Sequence, residues 1–450
     1  MGHSSERPLE GIDDLLEPFY AAEKPRAAWR IGTEAEKFGI VRETGAPIAF
    51  DGDRGVRAVL LELRDRHGWF EEPEVAGGEI IALRRGDASI TLEPGGQLEL
   101  SGAPLATVHQ TCAEFRGHMS ELRDISTELG IAWLGLGFHP FARQEDLPWV
   151  PKLRYAIMRD YLPTKGSMAL DMMRRTATVQ ANLDYSSEDD AVRKMRVALA
   201  ISPILTAMFA NSPFSEGALN GDRSRRGRVW MHVDPDRTGL LPFAWQDGFG
   251  YQRYVEYALG VPMFLIKRDG KPIANTGQTF ASFLKEGFQG HRATMDDWKM
   301  HLNTLFPDVR LKNIIEVRSA DSQRTALICA LPAVLKGVLY EDTSLTAVET
   351  MIAGLTYADA NAAREDVPER GLRATMRGRE MGEWASELLG HAEDGLARLS
   401  NLNRHGEDER IHLTALRGLM DRGMSPADEL LEAIDMTQPL GGQLLEHAMV

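Results

Sequence analysis

The chain has 450 residues, 43% of them hydrophobic and 26% charged, the balance of an ordinary water-soluble globular protein long enough for a large core. Its net charge of −15 works against binding to nucleic acid or anionic lipid, and no segment approaches the roughly 20 consecutive apolar residues that cross a bilayer. Two cysteines, Cys112 and Cys329, exclude a disulfide framework and a structural zinc site; one bridge and a pair of buried free thiols both fit.

The N-terminus, MGHSSERPLEGIDDLLEPF, lacks a basic start, an apolar stretch and a small-residue cleavage site, so the expected location is the cytoplasm. Ile12, Leu15, Leu16 and Phe19 recur at helical spacing within a first thirty residues that read as helical, and RIGTEAEKFGI (30–40) reads as a strand. Residues 56–68 read as a helix stopped by Gly68, and GEIIALRRGDASITLEPGGQLELSG as a hairpin turning at Gly86-Asp87. A long amphipathic helix is expected over 105–130, then the apolar stretch IAWLGLGFHP, the strand TATVQANLDY and a helix from Glu188 to about Asn211. Residues 212–250, rich in Pro, Gly, Ser, Arg and Asp, read as a long ordered loop beside a site. NIIEVRSAD is a further strand; from Thr325 onward the pattern is helical, with REDVPERG and NRHGEDER as turns.

Strand parity carries the chemical signal. Successive side chains alternate faces, so Glu34 and Glu36 share one side while Thr33, Ala35 and Lys37 take the other. Likewise Thr91, Glu93, Gln97 and Glu99 oppose Ile90, Leu92, Leu98 and Leu100; Thr178, Gln180, Asn182 and Asp184 form a third polar face, and Glu316 with Arg318 a fourth. A solvated sheet face carries polar residues too, but it usually mixes lysine with glutamate. Glu34, Glu36, Glu93, Glu99 and Glu316 gather with little lysine among them. Hard oxygen donors without His or Cys favour Mg²⁺.

Mg²⁺ that brings a nucleotide requires basic residues for phosphate. Candidates are Arg154, Arg159, Lys165, Arg174, Arg175 and the run GDRSRRGRVW. No GxxxxGK[ST] loop is present, GLGFHP is too short for a dinucleotide loop, and the brief arginine run in an acidic chain does not indicate nucleic acid.

EAEKFG, ITLEPGGQLELSGAPLATVHQTCAEF, MRDYLPTKGSMALDMMRRTATVQANLDYSSE, AMFANSPFSEG, DRTGLLPFAW and ALGVPMF, in order between about 30 and 340, resemble the glutamate–cysteine ligases of plant and proteobacterial type. The resemblance implies an α+β fold like that of glutamine synthetase and the guanidino kinases, a bowl-shaped antiparallel sheet flanked by helices. It implies one catalytic domain over 1–450, with a helical C-terminal region from about 335. It implies ATP- and Mg²⁺-dependent joining of the L-glutamate γ-carboxylate to L-cysteine through γ-glutamyl phosphate, with Mn²⁺ as an alternative metal, in a monomer or homodimer.

Carried over by residue, Glu34, Glu36, Glu93, Gln97, Glu99 and Glu316 resemble the metal set. Arg318 and Lys165 would face the nucleotide; Arg154, Arg226, Trp230, Asn182 and Phe264 the amino acids; and Arg226, Arg318 and Lys37 would act in catalysis. Cys112 and Cys329 match a pair that forms a redox-responsive disulfide in relatives. Phe264 stands where plant members have tyrosine, which leaves open a γ-glutamyl ligase for another amine. A guanidino kinase-like phosphotransferase and a non-catalytic nucleotide-binding module, which would leave the acid cluster without a task, are the remaining alternatives.

Overall fold

In the computed structural model, residues 7–73 and 78–450 are described. The first six residues of the N-terminal stretch discussed above lie outside them. Helix α1 spans only Ile12–Tyr20 of the stretch expected to be helical. Strand β1 (Ile31–Val41) follows, then helix α2 (Val56–His67), ended by Gly68 at φ +70°, a left-handed position that glycine adopts without steric cost. Strands β2 (Phe70–Glu71), β3 (Ala82–Arg85), β4 (Ala88–Leu92) and β5 (Leu98–Ser101) come next, β3 and β4 turning at Gly86-Asp87 as the sequence predicts. Helix α3 (Val108–Leu129) opens with a reciprocal Thr107–Gln110 cap and closes at Gly130.

Strand β6 (Ile131–Leu134), helix α4 (Leu153–Tyr161), strand β7 (Thr178–Leu183) and helix α5 (Glu188–Met208) lead to the region expected to be loop. That region carries a short helix, α6 (Arg225–Trp230), which its glycine and arginine content hid. Helix α7 (Met295–Leu302) and strands β8 (Val309–Leu311) and β9 (Ile315–Asp321) precede the C-terminal helices, of which α8 (Ala330–Leu339), α9 (Tyr357–Arg370) and α10 (Met381–Leu399) matter below. REDVPERG is not a turn: it is the last part of α9, with Pro368 inside the final turn and Gly371 as cap.

The nine strands form one sheet in the order β8-β9-β7-β1-β5-β4-β3-β2, with β6 also on β1, and every pairing is antiparallel. Ile90, Leu92, Leu98 and Leu100 are fully buried on the apolar face, as the alternation predicts. Helices α3, α5 and α8 pack against the sheet, and α8 is gripped in turn by α10. A Cβ at Gly395 would lie 1.9 Å from the Gly337 carbonyl, so both positions require glycine for the helices to meet. Among the described residues, no helix is long and apolar enough to cross a membrane.

The core holds histidines that must stay neutral. His139 Nδ1 accepts the N–H groups of Phe141 and Ala142, and burial with nearby Arg175 pulls the ring down to about 3. Burial, with Arg237 adding repulsion, brings His301 to about 4. The unfolded chain takes up these protons near pH 6.5, before the folded one, so their contribution is complete above that pH and is lost on descent toward the folded values. In urea unfolding each such histidine is expected to contribute a fall of about 1.4 kcal/mol per pH unit between pH 6.5 and 4, against the opposite contribution of buried glutamates raised on folding, so it is read as the difference between wild type and a variant lacking the histidine. A His139→Gln variant should show a shallower slope.

Candidate active site

The polar face of the sheet is assembled by register. Glu36 on β1 lies directly opposite Glu99 on β5, Glu34 opposite Gln180 on β7, and Glu316 on β9 opposite both Asn182 and Arg310. Like charges directly opposite in antiparallel strands repel. Burial, then Glu93 and Glu99, push the Glu36 carboxyl well above its ordinary range; burial and Glu93 also raise Glu99. Burial, with Glu316 and Glu99 nearby, raises Glu34 to about 7.

Hydrogen bonds fix these groups. Glu36 accepts the Thr178 N–H at 3.0 Å, and Glu34 accepts from Gln180 at 3.0 Å and Asn182 at 2.8 Å. Glu99 accepts from Thr91 and Ser101. Gln97 is committed to the turn bearing Glu93: its Oε1 accepts the Gly95 N–H at 2.9 Å and its Nε2 donates to the Thr176 carbonyl at 2.8 Å. A Cβ at Gly95 would come within 2.5 Å of the Arg174 carbonyl, so glycine is needed for the turn to seat there.

Glu316 departs from the expected acid cluster. Burial alone would raise it, but Arg310, Lys312 and Arg318 outweigh burial and hold it well below the carboxylate range. Arg310 donates at 2.7 Å, Lys312 stands at 2.7 Å, and Arg318 pairs with it as well. Among the described residues, no three His, Cys, Asp or Glu side chains are grouped to hold one ion. The five glutamates thus form no single cluster: Glu36 and Glu99 crowd with Glu93 at one end, and Glu34 lies near the cation-bound Glu316 at the other.

A cavity of 490 Å³ opens above this face, lined by Glu36, Glu93, Gln97, Arg154, Arg226, Trp230, Phe264 and Arg318 among others. Arg318 donates to Gln180 at 2.5 Å, and buried Arg226 donates to the Arg318 carbonyl at 2.8 Å. The two guanidinium groups lie 5.8 and 5.7 Å from the Trp230 ring. Phe306, 6.0 Å from Trp230 and 6.4 Å from Phe264, completes an aromatic wall. Fully buried Arg237 lies 4.0 Å from the Phe264 ring and is anchored by Asp234 at 2.7 Å.

A second cavity, of 480 Å³, is lined by Lys24, Lys299, Lys312, Asn303 and Asn313 with no carboxylate; Asn303 also lines the first. Sequence reasoning missed this lysine-lined space and also Arg310 and Arg237; Thr178 it placed on the polar face without giving it a role. Arg310 was legible only through the hairpin that sets it opposite Glu316.

Three expected positions fall elsewhere. Lys37 lies on the apolar face, as strand parity requires, not with Arg226 and Arg318. It is 1% exposed, donates to the Leu98 carbonyl at 3.3 Å and stands 3.4 Å from His118 of α3; burial lowers its amine to about 7. Lys165 is outside both cavities and pairs with Asp236 at 3.0 Å. Asn182 supports Glu34 rather than lining the cavity. Cys112 of α3 and Cys329, at the start of α8, are joined with an S–S separation of 2.07 Å.

Comparison with known proteins places the chain in a family. Residues 30–447 match the family described as Glutamate-cysteine ligase family 2 (GCS2). The chain is 45% identical over 423 residues to the chloroplastic glutamate–cysteine ligase of Brassica juncea, covering 93% of this chain and 80% of the relative. It is 45% identical to that of Arabidopsis thaliana, with coverage of 93% and 79%, and 43% identical to enzyme B of Oryza sativa subsp. japonica, with coverage of 93% and 83%. These relatives are named chloroplastic, which overturns the expectation of a cytoplasmic location drawn from the N-terminus. A crystal structure of Francisella tularensis glutamate–cysteine ligase in complex with AMP superimposes with a TM-score of 0.55 at 12% identity, covering 93% of this chain and 87% of that one, and so shares the mixed helix and antiparallel-sheet fold. The chain belongs to glutamate–cysteine ligase family 2.

Proposed function

We propose that this protein joins L-glutamate to L-cysteine at the expense of ATP, giving γ-glutamylcysteine, the first step of glutathione biosynthesis. The carrying observation is the convergence of Arg226 and Arg318 with crowded Glu36 and Glu93 on one cavity, beside a second lined by lysines. The sheet and its helices are read as one catalytic unit over 1–450, of the glutamine synthetase and guanidino kinase type, with the polar face as the inside of the bowl.

Arg154 and Arg226 supply fixed positive charge for substrate carboxylates, and a guanidinium binds a carboxylate in a two-point fork. The lysine-lined cavity suits the phosphate chain of ATP, in place of Lys165. A γ-carboxylate oxygen of glutamate attacks the γ-phosphorus and ADP leaves. The cysteine amine then attacks the acyl carbon, loses a proton, and phosphate departs with the former carboxylate oxygen. Arg318, held between Gln180 and Glu316, is pre-oriented where phosphoryl charge develops. Glu36, Glu93 and Glu99 are crowded oxygen donors, with burial and the neighbouring Glu93 raising Glu36 and Glu99, and they would hold Mg²⁺ jointly with the phosphates of ATP, with Glu34 beside a second position. When bound, Mg²⁺ supplies neutralisation of phosphate charge.

Incubation with ATP, Mg²⁺, glutamate and a panel of amines, read by product mass, tests this. The expected result is γ-glutamylcysteine with ADP and phosphate. A phosphorylated acceptor without peptide would replace the reading with a phosphotransferase, and preference for another amine would change the acceptor.

A further inference from the structure

No motif or charge pattern attaches chemistry to the C-terminal helices, yet α9 grips both halves of the arginine pair. Arg364 and Pro368 are four residues apart and therefore share a helix face. The Pro368 carbonyl, among the last four of the helix, has no partner within it. It accepts the N–H groups of Arg223 at 2.6 Å and Ser224 at 3.0 Å. Ser224 caps α6, which carries Arg226 and Trp230. The α6 backbone fits closely there: a Cβ at Gly227 would stand 3.4 Å from Pro368 Cγ.

One turn earlier, Arg364 Nε donates to Asp308 Oδ2 at 2.9 Å, and these side chains are only 14% and 15% exposed. The Asp308 carbonyl in turn accepts the Arg318 N–H at 3.0 Å. Arg364 lines a 30 Å³ cavity with Asp308, Arg226, Trp230, Arg318 and Ser319, which is too small for a substrate. Arg364 therefore acts through Asp308.

Asp308 is a carboxylate close enough to Arg226 to support its charge. Released from Arg364, it would pair with Arg226 or Arg318 and compete with the incoming anion, because a carboxylate largely withdrawn from water is costly to leave without a cation. We propose that Arg364 is a positioning residue that occupies Asp308, keeping both active-site guanidinium groups available and correctly spaced. This rests on the ligase reading and adds a residue to it.

Steady-state kinetics on the full chain, with glutamate varied, tests the proposal. Arg364→Gln is expected to raise the glutamate KM about tenfold, and adding Asp308→Asn, which removes the competing charge, to recover at least about threefold of that loss. Rescue by a second substitution is not what a merely structural contact would give. Arg364→Lys and Asp308→Asn alone should stay within about threefold of wild type, and they carry the test if Arg364→Gln does not fold. Arg373→Gln, at an exposed neighbouring arginine, is the control. An Arg364→Gln KM equal to the control, a double variant no better than the single, or a tenfold KM rise in Asp308→Asn alone overturns the proposal. A wild-type chain that makes no γ-glutamyl product sinks the ligase reading instead.

Discussion

Arg226→Ala is expected to lower kcat/KM for glutamate by about 10³-fold, close to 4 kcal/mol of transition-state stabilisation. The guanidinium is buried at the cavity wall, donates to the Arg318 carbonyl and lies beside Trp230. Its charge is thus fixed before substrate arrives. Arg226→Lys should recover little of the loss, because an ammonium lacks the planar fork. The helix should persist in both variants, since Ser224 caps it and Asp321 holds Ser224 at 2.8 Å. Steady-state kinetics paired with a melting curve separates the two effects: activity falls while the melting temperature moves little.

Glu36→Gln should produce the second large effect, and with opposite signs in stability and activity. Without divalent metal, wild type bears mutual repulsion among Glu36, Glu93 and Glu99. Removing one charge relieves it, so the variant should melt higher than wild type in chelator. The Thr178 N–H keeps an acceptor, because the glutamine amide oxygen can replace the carboxylate oxygen. Added Mg²⁺ should raise the wild-type melting temperature by preferential binding to the folded state, and leave the variant nearly unmoved. Activity of the variant at saturating Mg²⁺ should drop about 100-fold, as for loss of one electrostatic contact in a buried site. Melting curves with and without Mg²⁺, alongside rate measurements, check each part.

The sequence made the sheet legible where one face is buried. Ile90, Leu92, Leu98 and Leu100 alternate with polar residues, and a one-residue slip would have exposed them all. Gly68 marked a helix end and Gly86 a turn because positive φ is cheap only for glycine. The pairing of Glu36 with Glu99 and of Glu34 with Gln180 was legible only as shared polarity, since register across distant strands leaves no local trace. Lys37 shows where two lines of reading conflict: alternation placed it opposite Glu36, the family resemblance placed it with the catalytic arginines, and alternation is what the structure follows. Two of the three countercharges of Glu316, Lys312 and Arg310, sit four and six residues upstream, in and beyond a tight turn whose residues, Lys312-Asn313-Ile314, look like strand continuation. Arg364 meets Asp308 across 56 residues, a contact that only the folded chain defines.

In the proposed reaction glutamate is activated as an acyl phosphate on this polar face before the amine attacks. Glutamate carrying ¹⁸O in both oxygens of its γ-carboxylate, turned over with ATP, Mg²⁺ and cysteine, tests it most directly by the mass of the phosphate released. One ¹⁸O atom per inorganic phosphate is the predicted result; phosphate free of the label, formed along with peptide product, would contradict it.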